Sequence, residues 1–147
     1  MRSQVIKIRK PSKEISRSYD IKSENSLNAA KLLLKNNFIE ESITMSYYSM
    51  YHKATSLLRL AGIKCENHKA TIIILKELFK INNEFISDAK DKRINSQYYS
   101  DFSDKKEDSK FLIKQAEKFL AIIDFYKDEL IEEDIIKIII KLREAVN

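Results

Sequence analysis

Apolar positions recur at helical spacing along most of the chain. Ile39, Ile43, Tyr47, Met50, Ala54, Leu57 and Ala61 advance by four, four, three, four, three and four residues. That spacing predicts the buried face of a helix over about residues 38–61. Tyr48, His52, Thr55 and Arg59 step along a second line of the same helix, so a polar seam runs beside the core seam. Upstream, Leu27, Ala30 and Leu34 mark a first helix that starts near Ser16 or Ser23 and is broken at Asn36-Asn37. Downstream, Gly62 reads as a left-handed cap and Asn67 as the cap of a third helix, with Ala70, Ile73, Ile74 and Leu78 inward. After Asn82-Asn83, a fourth helix carries Ile86, Ala89 and Arg93 on one line and ends near Gln97 to Tyr99. Ser100 to Lys106 is polar and reads as a loop.

Leu112, Ala116, Phe119, Ile123, Tyr126 and Leu130 define a fifth helix. Glu132-Glu133-Asp134 opens a sixth, where the helix dipole favours acids. Ile135, Ile138, Ile139, Leu142 and Val146 line it, and Ile136 and Ile140 widen its apolar surface. Such a helix is expected to lie within its own bundle or against a partner.

Composition removes the alternatives to a helical fold. Among 147 residues, Gly62 is the single glycine and Pro11 the single proline, far too little turn chemistry for a sandwich or barrel. The expectation is an all-α antiparallel bundle of four to six helices. A chain of this length can bury about two-thirds of its unfolded surface. Its expected division is an arm over 1–15, a bundle over 16–130 and a last helix over 131–147. Val5-Ile6-Lys7-Ile8 is too short for an independent strand, so the arm is expected to lie on the body or on a second subunit.

Charge changes the picture only once it is located. Arg2, Lys7, Arg9, Lys10 and Lys13 precede the first acid, Glu14, and account for the whole net charge of +5. The rest of the chain balances 22 basic against 22 acidic side chains. The basic excess is therefore a tail that can contact phosphates or remain solvated. A single cysteine, Cys65, forms no internal disulfide and suits a reducing compartment. No apolar run is long enough to span a membrane, so a cytoplasmic protein is expected.

Few residues carry chemistry. His52, Cys65 and His68 do not form a metal set, and the sequence has no glycine-rich phosphate loop, HExxH motif or Ser-His-Asp order. No metal or cofactor is expected. Arg93 shares a line with Ile86 and Ala89, so its guanidinium points at packed surface and needs an anionic or carbonyl partner. With Tyr98 close by, it could grip a phosphate, or it could close an internal ion pair. His68 opens the third helix, where free N–H groups favour an anion, and His52 sits in the tyrosine seam.

The run Tyr47-Tyr48-Ser49-Met50-Tyr51-His52-Lys53-Ala54, followed by Leu57-Leu58, Gly62-Ile63 and His68, resembles the HEPN superfamily. Arg93-Ile94-Asn95-Ser96-Gln97-Tyr98 is similar to that family's Arg-x-x-Ala-Asp-Tyr, and Ala116 to Leu120 matches its closing helix. The resemblance spans about residues 20–125.

The resemblance implies a helical homodimer, a nucleotide or RNA ligand and a minimal nucleotidyltransferase partner of toxin–antitoxin type. Phosphate contact would fall to Arg93, Tyr98, Tyr48, His52 and His68. Ribonuclease members place a histidine where Tyr98 stands, and dimerisation brings two copies into one cleft. A phenol of pKa about 10 is a poor base at neutral pH. The alternatives are a metal-independent ribonuclease using His52 or His68, and a scaffold without catalysis.

Overall fold

A computed structural model describes residues 5–98 and 106–146. Arg2, Tyr99 and the 100–105 part of the expected loop lie outside them. Six helices and one two-stranded antiparallel sheet follow in the order β1 (Ile6–Ile8), α1 (Lys13–Lys35), α2 (Ile39–Leu60), β2 (Ile63–Cys65), α3 (His68–Glu77), α4 (Glu84–Tyr98), α5 (Lys106–Glu129) and α6 (Glu132–Val146). The fold is all-α, as the spacing predicted.

α1 begins earlier than its apolar pattern suggested. Ser12 is its cap, accepting a hydrogen bond from the Ile15 amide at 3.0 Å, and Glu14 sits in the first turn. The first half of this helix turns small polar residues inward, Ser16 and Ser23 both being buried, so no apolar stripe announced it.

Serines explain how closely the helices approach. Ser23 Oγ donates to Ser49 O and Ser42 Oγ to Ala30 O, each at 2.7 Å, which lays α1 antiparallel on α2. Ser109 Oγ then donates to Ser42 Oγ at 2.8 Å and brings α5 onto the same rung. These three hydroxyls are both small and satisfied, so the backbones approach closely at their rungs, whereas the buried Ser46 Oγ has no partner among the described residues. α2 is the central helix, with α1, α4 and α5 against it. Tyr47, Met50, Leu57 and Leu58 fill the core with Phe119, Leu112 and Ile86.

The arm does form a strand, because it has a partner. Ile6 stands opposite Cys65 and Ile8 opposite Ile63, and the pairing continues as Arg9 N–H to Gly62 O at 2.7 Å. Ser12 N–H then reaches Arg59 O at 3.2 Å, tying the arm to the end of α2. Gly62 has φ +83°, and a Cβ there would lie 2.4 Å from Arg9 O. Only glycine allows both that backbone conformation and so close a crossing. Ile6, Ile63 and the Cys65 thiol are buried, so the cysteine fills space.

Asn67 caps α3 as expected, accepting from the Ala70 amide at 2.8 Å. The inward residue beside Ile74 is Ile72 rather than Ile73. α6 lays Ile138 and Leu142 into the chain's own core, while Ile136 and Ile140 stay exposed.

Candidate anion-binding site

Three helices converge on the tyrosine run. α2 supplies Tyr47, which is fully buried, with Tyr48, Tyr51 and His52 half-buried beside it. The Asn67 cap fixes the start of α3 and with it His68, whose ring stacks on Tyr51 with centroids 3.9 Å apart. Tyr47 Oη lies 2.7 Å from His68 Nδ1. α4 adds Arg93, its guanidinium carbon 5.2 Å from the Tyr48 ring centre and 5.4 Å from that of Tyr47. The cation thus rests on phenol faces, a favourable contact worth about 1 kcal/mol where partly exposed.

Burial holds the Tyr47 phenol far above the usual range, so it keeps an O–H that a neutral His68 Nδ1 can accept. Burial, then the charges of Arg93 and Lys90, push the His68 imidazole below its ordinary value. A neutral ring that accepts at Nδ1 carries its proton on Nε2. His52 is likewise lowered, by burial first and then by Lys22 and His68. Two neutral histidines and three cations therefore surround this surface.

Among the described residues, no internal ion pair closes around Arg93: it pairs with no carboxylate, and its Nε–H is buried without a hydrogen-bond partner. His52 Nδ1 is also unpartnered, beside Tyr48 and Tyr19 with ring centroids 5.9 and 6.2 Å away. Arg93, Tyr48, His52 and His68 are thus brought together within one chain. Tyr98 is not. Five residues beyond Arg93 is about 140° around a helix, and Tyr98 is 73% exposed, with no described ring contact. Within one chain, spacing along α4 turns it away from the cluster. Among the described residues, no group of three His, Cys, Asp or Glu could hold a metal.

Sequence reasoning missed a charged network on the opposite side of α2. Lys53, 3% exposed, donates to Asp20 Oδ1 at 2.9 Å and to Asp124 Oδ1 at 2.7 Å. Lys127 reaches Asp20 Oδ2 at 2.6 Å and Ser56 Oγ at 3.2 Å. The signal was present, since Lys53 follows Met50 by three and precedes Leu57 by four, at the edge of the buried face.

A helical bundle built on a paired-tyrosine helix, with an arginine offered from α4, defines the class. The HEPN domain model matches residues 21–146, and the chain belongs to the HEPN family. It is 41% identical over 64 residues to the UPF0332 protein PH1297 of Pyrococcus horikoshii, covering 44% of each chain. It is 31% identical over 75 residues to the protein of Methanocaldococcus jannaschii named "Putative toxin MJ0605", covering 51% of this chain and 54% of that one. The matches span about half the length of these relatives. No helix among the described residues is long and apolar enough to cross a membrane.

Proposed function

We propose that this HEPN protein binds the phosphate of a nucleotide or RNA on Arg93, within a surface framed by Tyr48, His52 and His68. The observation that carries the reading is a guanidinium held on two phenol rings with no carboxylate to satisfy it among the described residues. An arginine immobilised this way presents its fork to an anion with little further loss of freedom. The bundle acts as a homodimer, paired with a minimal nucleotidyltransferase in a toxin–antitoxin arrangement. The relative named as a putative toxin supports the toxin part of this reading alone.

The test is fluorescence anisotropy with labelled RNA and a competing nucleotide, comparing the native protein with Arg93→Ala. Loss of at least tenfold in affinity with unchanged helicity is expected, and unchanged affinity contradicts the reading.

One observation favours a second reading, metal-independent RNA cleavage. His68 is neutral and hydrogen-bonded through Nδ1, so an imidazole that can carry a proton stands beside the phosphate-gripping residue. Labelled RNA incubated with excess protein in EDTA decides it. Cleavage abolished by His68→Ala supports this reading, whereas intact RNA eliminates it and leaves a binding function.

A further inference from the structure

We propose a second phosphate site, in the cleft between the N-terminal arm and the C-terminal end of α2, that lets one single-stranded oligonucleotide bridge to Arg93. The cleft has a volume of about 560 Å³ and is bordered by Arg9, Lys10, Lys13 and Arg59. Glu14 borders it too, yet among the described residues none of the four cations is ion-paired to it or to any other carboxylate. The Arg59 Nε–H is buried and has no partner among the described residues. The cleft also holds the first turn of α1, a helix of 23 residues, where the Lys13 and Glu14 amides have no intrahelical acceptor. The arm is not free to leave, because the β1–β2 pairing and the Arg9–Gly62 and Ser12–Arg59 hydrogen bonds pin it in place.

The seam on α2 connects this cleft to the tyrosine surface. Tyr48 and Arg59 are eleven residues apart, about 16 Å along a helix axis. Between them lie His52 and Thr55. Thr55 is 8% exposed. Arg93 Nε, His52 Nδ1 and Arg59 Nε, each buried and without a partner among the described residues, thus fall along one strip. Tyr19 borders the strip, with the Lys22 ammonium 4.9 Å above its ring centre. Cations at both ends and aromatic faces between them suit a phosphodiester chain whose bases stack on the rings. A mononucleotide would occupy one end alone. This extends the Arg93 reading but rests on separate residues.

A labelled twelve-nucleotide single-stranded oligo(A) RNA and AMP test it. The Lys10→Gln/Lys13→Gln/Arg59→Gln variant is expected to weaken RNA binding at least tenfold and leave AMP affinity unchanged. Because Arg59 is partly packed, Lys10→Gln/Lys13→Gln alters only exposed side chains. Its slope of log affinity against log salt should fall by about 1.4, some 0.7 per cation lost. Unchanged RNA affinity and salt slope in these folded variants overturn the proposal. If Arg93→Ala leaves AMP binding intact while the arm variants weaken RNA binding, the Arg93 reading fails and the arm site stands.

Discussion

The Tyr47 hydroxyl stands 2.7 Å from His68 Nδ1, joining the middle of α2 to the first residue of α3. Arg93 approaches the same Tyr47 ring from α4. One buried phenol thus holds both the proton-bearing and the charged member of the candidate site. Removing the hydroxyl should separate the roles of packing and orientation. Tyr47→Phe is expected to cost about 1 kcal/mol in urea unfolding, the usual net worth of one hydrogen bond. A loss near zero would mean that the bond does not hold His68.

The charge of Arg93 helps keep His68 neutral, after the larger effect of burial. Arg93→Ala should therefore move the His68 titration upward, toward its ordinary value of 6.5. Following the imidazole Cε1–H signal by NMR checks this, and an unmoved or lower midpoint contradicts the geometry. Arg93→Lys keeps the charge and should leave the titration nearly in place while weakening phosphate binding, since the planar fork is lost.

The Lys53 network should give stability a definite pH profile. Burial raises the Asp20 carboxyl, but hydrogen bonds from Lys127 and Lys53 outweigh it, and the group lies below its usual 3.8. Its contribution is complete above that value and is lost as pH falls through the lower folded-state value. His52 and His68 are lowered bases, so their neutral forms favour the fold above 6.5, and stability declines as pH falls from there. Lys53 is raised despite burial, chiefly by its bonds to Asp124 and Asp20, so its contribution fades only above 10.5. Urea midpoints should form a plateau from about pH 7 to 10 with two acid steps. Asp20→Asn should remove the lower step. Lys53→Ala should cost about 3 kcal/mol at neutral pH, because Asp20 and Asp124 lose a largely buried cation. A cost below 1 kcal/mol would show that solvent satisfies them.

Most of the fold could be read from the sequence because α2, α3 and α5 announce themselves by apolar spacing and capping residues. α1 was legible only from Leu27 onward, since its earlier inward positions are Ser16 and Ser23, and serine gives no periodic signal. The β1 strand was hidden because three residues mean nothing without the partner across Gly62. At the site, His68 and Arg93 were legible from type and position. Tyr98 follows Arg93 closely in sequence, but five residues turn it about 140° around the helix, away from the cluster within one chain. The Lys53 network escaped notice because its carboxylates come from α1 and α5, distant in sequence.

Gly62 can be tested alone. Gly62→Ala forces a Cβ to within 2.4 Å of Arg9 O at φ +83°, and is expected to cost about 2 kcal/mol. Hydrogen exchange should accelerate at Ile6–Ile8, where the arm would lift. Native-like protection there would show that the crossing is more tolerant than its geometry implies.

Addition of a nucleotide monophosphate to ¹⁵N-labelled protein, with the arginine Nε–H resonances followed by NMR, tests phosphate capture by Arg93 most directly. The Arg93 Nε–H, without a partner among the described residues, should sharpen and move downfield on gaining an acceptor, accompanied by shifts at His68 and Tyr48. An Arg93 signal that stays fixed while the nucleotide perturbs other arginines, or none, would contradict it.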